Sequence, residues 1–214
     1  MANDVVAFHG WPAEALDFFD DLATHNEKAW FHAHKHVYDE CVREPMRALV
    51  AELEDEFGAL VVSRPNRDVR FAHGRDPYKL EIYARSRERS ASGWYVRVGA
   101  DGMFAGGGAY QPDRERLARI RAAIDDERTG SQLAGIVEDL ESSGVELMRY
   151  GSVRTAPRGY RVDHPRIDLL RLVNLAGGRS WPPRAWLRTA AAKDRVVDAW
   201  HELEPLVDWL VANS

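Results

Sequence analysis

Up to Gly58 the apolar residues recur at helical spacing. Leu16, Phe19 and Leu22–Ala23 follow Pro12, a residue suited to the first turn of a helix. His25-Asn26 interrupts the pattern, and Asn26 is a suitable N-cap for a second helix carrying Trp30 and Phe31. Tyr38 extends the helical character, and Pro45 starts or kinks the next segment. Met46, Leu49, Val50, Leu53 and Phe57 then form one apolar face, which Gly58 ends.

Beyond Gly58 the period changes. Leu60–Ser63, Val69–Ala72, Leu80–Ala84 and Trp94–Val98 alternate or run apolar and are rich in β-branched and aromatic residues, so they are predicted strands. Gly74, Asp76-Pro77 and Ser92-Gly93 supply turns between them. Met103–Tyr110 is a further strand, interrupted by Gly106, Gly107 and Gly108. After Pro112 the pattern becomes mixed. One helix turns Leu117, Ile120 and Ile124 inward, another spans Ser131–Ser142, short strands lie within Leu147–Thr155, and a helix starts at Pro165. From about Pro183 the chain reads helical to its end. There Val196, Trp200, Leu203, Val207 and Leu210 form a narrow seam, and Pro205 suits the first turn of a new helix that splits the region. A contiguous strand block between helical ends predicts an α+β fold with a mainly antiparallel sheet wrapped by N- and C-terminal helices. The expected organisation is a single domain over residues 1–214: helical to 58, strand-rich over 59–110, mixed over 111–180 and helical over 181–214.

The net charge of −5 is unevenly spread: the stretch from Arg64 to Arg97 carries nine Lys/Arg against four acids, leaving −10 for the rest. A basic centre in an acidic body suits a small anion better than a long polyanion, so nucleic acid is not an expected partner. The single cysteine, Cys41, excludes an intramolecular disulfide and a multi-cysteine zinc site, and reads as a small helical hydrophobe. No stretch approaches the roughly 18 apolar residues of a membrane span. The start, MANDVVAFHGWP, lacks the basic and apolar regions of a signal peptide, so a cytoplasmic location is expected.

The basic centre is densest between Arg67 and Ala84. It places Arg67, Arg70, Arg75 and Lys79 among Asp68, Asp76, Glu81, Tyr78 and Tyr83, beside strand-like sequence. Half-buried charges must be paired or must hold a ligand. Arg67 and Arg70 would face opposite sides of a strand, whereas Asp68 and Arg70 would share a face. Arg67, Arg70 and Lys79 are candidate anion ligands, and a salt-bridge lattice between strands is the structural alternative. The glycines Gly106–Gly108 precede a helix and could present backbone N–H groups to the anion, but their spacing fits neither GxGxxG nor GxxxxGK[ST]. A tight strand crossing explains them as well. His164, in Asp163-His164-Pro165, is either part of a helix cap or a general acid or base oriented by a carboxylate such as Asp68. Tyr78 is the second candidate for proton transfer. Of His32, His34 and His36 only the outer pair shares a helix face, and no third ligand is placed with them, so no metal site is predicted and no cofactor is implied. Neither GxSxG nor HExxH occurs. Trp30, Trp94 and Trp200 fall on apolar faces and read as core, whereas Trp11, Trp181 and Trp209 could line a groove.

Taken in order, these residues resemble an uncharacterised bacterial and fungal family, domain of unknown function 2461. The resemblance rests on Asn26, Trp30, Phe31, Tyr38 and Pro45, on Arg67-Asp68-Val69-Arg70-Phe71 with Pro77-Tyr78-Lys79, and on Gly93–Val98 with Gly106–Gly108 and Pro112. It continues through Ala156-Pro157-Arg158-Gly159-Tyr160, Asp163-His164-Pro165 and Leu169-Leu170. The chain departs from the family pattern at His73-Gly74-Arg75, at Leu80 and near Val173. The resemblance implies no established activity. The expectation from the residues is an enzyme or binding protein for a small phosphate- or carboxylate-bearing ligand. The alternative is a non-catalytic interaction module that binds a partner, or a second copy of itself, through the C-terminal seam and exposed tryptophans.

Overall fold

Behind Pro12, helix α1 (Ala13–Thr24) buries Ala15, Phe18, Phe19 and Leu22, following the predicted spacing. The computed structural model describes residues 7–67, 76–87 and 92–214. Helix α2 (Lys28–Ala33) starts after an extended Glu27, and no side chain caps it. The Asn26 cap does not form because that amide is engaged elsewhere. From Lys35 the chain stays helical to Phe57, through a short turn α3 (Lys35–Val37), a π-helical stretch Tyr38–Arg43 and α4 (Glu44–Phe57). Pro45, in the first turn of α4, has no N–H to offer the carbonyl four residues back, and its ring crowds that carbonyl. A widened turn just before the proline lets the helix continue without a break.

The strands are β1 (Leu60–Val62), β2 (Glu81–Ser86), β3 (Gly93–Gly99), β4 (Gly102–Ala109), β5 (Glu146–Leu147) and β6 (Leu175–Trp181). They form one antiparallel sheet in the order β1-β2-β3-β4-β6-β5, which fixes the fold as α+β. In β2, Ile82 and Ala84 are buried while Glu81, Tyr83 and Arg85 are half-buried, as alternation requires. Helix α4 packs against β1 and β2. The register places Val62 opposite Ala84 and Leu60 opposite Ser86.

Several expectations change. The predicted strand Val69–Ala72 lies outside the described residues. The strand expected within Leu147–Thr155 contracts to Glu146–Leu147. Strand β6, LAGGRSW, went unread because two glycines and the lack of β-branched residues hide its period. Helix α8 (Ala191–Asn213) runs through Pro205 without the expected split. Pro205 and His201, four residues back, are both exposed, so the helix-breaking cost falls on backbone that water can reach.

The chain divides into two compact units. The first holds the described residues up to Arg87, with Tyr95–Ala105 and Ser180–Asp198. The second holds residues 92–94, Gly106–Arg179 and Ala199–Ser214. In the first, Phe18 contacts Phe19, Trp30, Phe31 and Tyr38 with ring centroids 5.4–6.0 Å apart. In the second, helices α5 (Arg114–Asp125) and α6 (Glu127–Ser143) are capped by the carboxylates of Asp113 and Asp126, which accept from Arg116 N–H at 2.8 Å and Thr129 N–H at 2.9 Å. Their apolar faces pack with Leu170 of the short helix α7 (Ile167–Leu170), and with Leu203, Leu206 and Leu210 of α8. Among the described residues no helix is long and apolar enough to cross a membrane.

Candidate functional site

The sequence-predicted basic segment is anchored by a two-residue bridge. Arg67 N–H donates to the Pro77 carbonyl and Lys79 N–H to the Pro65 carbonyl, both at 2.8 Å, so that Asn66 and Tyr78 face each other. Asn26, 52 residues away, brackets Tyr78. Its Oδ1 accepts Tyr78 N–H at 3.0 Å and its Nδ2 donates to the Tyr78 carbonyl at 3.1 Å. Arg67 Nε donates to the same carbonyl at 3.0 Å. The Tyr78 ring is buried and stacks on Phe31 at 3.9 Å. Its phenol therefore belongs to the core, although the residue lies beside the cations.

Lys79 sits among like charges. Its ammonium donates to the Arg64 carbonyl and lies 5.3 Å from the centre of the Tyr83 ring. Burial is the largest cause of its lowered pKa, and the Arg64 and Arg67 guanidiniums lower it further, while Glu81 opposes them. Arg67 and Lys79, two of the predicted anion ligands, are thus brought together with Arg64. Asp68 and Arg70 lie outside the described residues.

Next to this cluster is a groove of about 640 Å³ between α4 and β1. Its apolar floor includes Phe31, Tyr38, Val50, Leu60 and Val62. Lys35, Arg43, Arg47, Arg64 and Arg87 supply five cations against two acids, Asp39 and Glu54. Asp39 is shared by Lys35 and by Arg43 at 3.7 Å, and Arg47 reaches Glu44 at 3.2 Å. Glu54 is engaged by the Leu60 N–H at 2.9 Å. Among the described residues, no carboxylate pairs with Arg64, Arg67 or Arg87. Burial pushes the Tyr38 phenol up to about 12, against the opposing pull of Arg43. None of the groove's cations was assigned a role from the sequence. Arg64 and Arg87 belong to the basic stretch of the sequence, whereas Lys35, Arg43 and Arg47 lie outside it.

The remaining candidates sit in other surroundings. His164 belongs to the second unit. Its Nδ1 accepts the Arg166 N–H at 3.0 Å and its Nε2 lies 3.2 Å from Asp125 Oδ1. Both ring nitrogens are therefore engaged. Asp163 is held bidentately by Arg161 at 2.8 and 2.7 Å. Gly106, Gly107 and Gly108 are buried in β4. A Cβ on Gly107 would lie 2.8 Å from the Trp94 ring. One on Gly108, whose φ is +122°, would lie 2.4 Å from the Leu175 carbonyl oxygen. Close approach by a strand and an indole accounts for these two positions. Cys41 has its thiol pKa raised by burial first, then by Glu14 and Glu40, which disfavours the nucleophilic thiolate. Among the described residues no group of three His, Cys, Asp or Glu is placed to hold a metal ion. The seam residues Val196, Trp200, Leu203, Val207 and Leu210 are all buried, as are Trp11 and Trp209, and none of the seven tryptophans is fully exposed.

Comparison with known proteins gives one match: the family described as conserved hypothetical protein (DUF2461) matches residues 14–209. No curated protein and no solved structure matches the chain.

Proposed function

We propose, for a chain that belongs to the DUF2461 family of conserved hypothetical proteins, that the basic groove beside β1 binds a small phosphate- or carboxylate-bearing anion. The observation that carries this reading is the convergence on one cavity of five cations from three chain segments, in a protein whose net charge is −5. Arg64 and Arg87 are the principal ligands, because no carboxylate among the described residues neutralises them. Arg43 and Arg47, one helical turn apart, present guanidiniums from the opposite wall. Guanidinium forks grip carboxylate and phosphate oxygens bidentately, and Arg64, Arg87 and Arg47 are exposed and so accessible to a ligand from solution. Arg67 and Lys79 add positive potential from the adjoining bridge. The buried Tyr78 ring and the doubly engaged His164 favour a reading of binding over one of proton transfer. Against the interaction-module alternative, the seam residues, Trp11 and Trp209 are buried, while Trp181 is half-buried.

Thermal unfolding in the presence of phosphate, pyrophosphate or citrate, against sodium chloride of matched ionic strength, tests this reading. An anion at a hundred times its dissociation constant stabilises by about 2.7 kcal/mol, a rise of roughly 5–10 °C for a chain of this size. Arg64→Ala and Arg87→Ala should each weaken the effect about tenfold in anion concentration. Equal shifts from chloride and from the polyvalent anions, or an undiminished response in both variants, would refute it.

A further inference from the structure

The groove runs along a sheet edge, and the hydrogen bonds of β1 show which backbone groups face it. Ser63 N–H donates to the Tyr83 carbonyl at 2.7 Å and Arg87 N–H donates to the Ala59 carbonyl at 2.9 Å. With Val62 opposite Ala84, residues 59, 61 and 63 therefore turn their N–H and C=O groups toward β2. Leu60 and Val62 turn theirs away, to the open side. Leu60 N–H confirms the direction, since it donates to Glu54 across the groove. The Val62 N–H and C=O have no partner among the described residues, and β1 ends the strand order. Both residues line the cavity.

Resting on the anion-binding reading, we infer that the groove takes an extended acidic peptide segment, which adds to the free edge of β1 by pairing with Val62. The charges select the partner. Arg87 stands opposite Ala59 at one end of the strand, Arg64 follows it at the other, and Lys35, Arg43 and Arg47 line the helix wall. Cations beside an open edge repel a second copy of the same edge, whereas they attract a strand carrying carboxylates. The floor of Phe31, Tyr38, Val50 and Val62 accepts apolar side chains, so alternating acidic and apolar residues fit the pleat. The chain from Ala59 to Arg64 runs about 17 Å, the span of about six extended residues, and within it Val62 supplies the N–H and C=O open to pairing, since Leu60 N–H goes to Glu54 and the Arg64 carbonyl to Lys79.

The probe is a blocked peptide of about six residues alternating glutamate and valine. A second version carries N-methyl groups on the amides that would face β1, and inorganic phosphate is the control. Binding is followed by thermal shift, and exchange of the Val62 amide by NMR. The expected result is at least tenfold slower Val62 exchange with the peptide and none with phosphate. N-methylation should weaken binding at least tenfold, and Arg64→Glu with Arg87→Glu should abolish it. Peptide binding with Val62 unprotected and methylation without effect would overturn the strand-addition inference and leave the anion site standing. Failure of phosphate, polyvalent carboxylates and peptide alike would overturn both. Val62 protection that instead rises with protein concentration, together with a dimer by light scattering, would make a second copy the occupant and overturn the acidic-peptide assignment.

Discussion

Asn26→Ala should destabilise the protein by more than an ordinary surface substitution, because one amide satisfies both backbone groups of Tyr78. Without it the Tyr78 carbonyl keeps the Arg67 Nε bond at 3.0 Å, but Tyr78 N–H loses its acceptor beside a buried ring. An unsatisfied buried donor costs about 1–3 kcal/mol and the lost Nδ2 bond about 1 more, for a total near 2–4 kcal/mol. In a chain of this length that lowers Tm by roughly 4–16 °C. Asn26→Asp separates the two bonds. It keeps an acceptor for the N–H but sets a carboxylate oxygen against the Tyr78 carbonyl, so its loss should be comparable. Differential scanning calorimetry of the three proteins at pH 7 is the assay, with urea unfolding as a check on two-state behaviour. A Tm within about 2 °C of wild type for Asn26→Ala would refute the clamp.

Gly108→Ala should cost about 3 kcal/mol or more, since the new methyl meets the Leu175 carbonyl oxygen at 2.4 Å and φ stays positive; soluble yield and Tm read the loss. Gly107→Ala should be milder, because the Trp94 ring it meets can shift. The Glu52 carboxylate, held by Lys193 Nζ at 2.7 Å and by Phe8 N–H at 2.6 Å, has its pKa lowered in the fold, chiefly by the Lys193 bond. Its stabilisation is therefore present above the unfolded carboxylate pKa and lost as pH falls through the folded value. Glu52→Gln should cost about 1 kcal/mol near neutrality for so partly exposed a pair, and in a Tm-versus-pH series the gap from wild type should narrow as the pH falls below the unfolded carboxylate range.

Elements whose period is long and unbroken were legible in the chain: α1, α4 and the strands β2 and β3 all carry their apolar residues at the spacing the fold uses. Where two chemistries share one residue, local reading failed. Asn26 has the side chain of a helix cap and equally that of a backbone clamp, and only the return of Tyr78 from 52 residues away decides between them. Pro205 was read as a boundary because propensity ignores exposure, yet at an exposed position a helix tolerates the missing donor. The candidate site was half legible. Arg67 and Lys79 lie in a dense basic run, whereas the groove gathers Lys35, Arg43, Arg47, Arg64 and Arg87 from segments whose meeting depends on how α4 packs on β1 and β2.

The choice between a ligand site and a salt-bridge lattice, left open by the sequence, turns on what Arg64 does to stability. In a lattice each cation is offset by an acid, and removing one costs free energy. Here Lys79 is held below its ordinary pKa by burial and by Arg64 and Arg67, with Glu81 opposing them. A lysine whose folded pKa lies below its unfolded value opposes folding while both states are protonated. That opposition is relieved as pH rises from the folded value toward about 10.5. Removing the Arg64 guanidinium should relieve part of it at neutral pH, and the carbonyl that accepts from Lys79 survives in Arg64→Ala. In dilute, anion-free buffer this variant should unfold at the wild-type temperature or slightly above it. It should also show a smaller rise of Tm on going from pH 8 to pH 10, and respond less to phosphate. Stability withheld in the free protein and returned by an anion is the signature of a site. A clear fall in Tm for Arg64→Ala in that buffer would instead assign the cluster to the lattice.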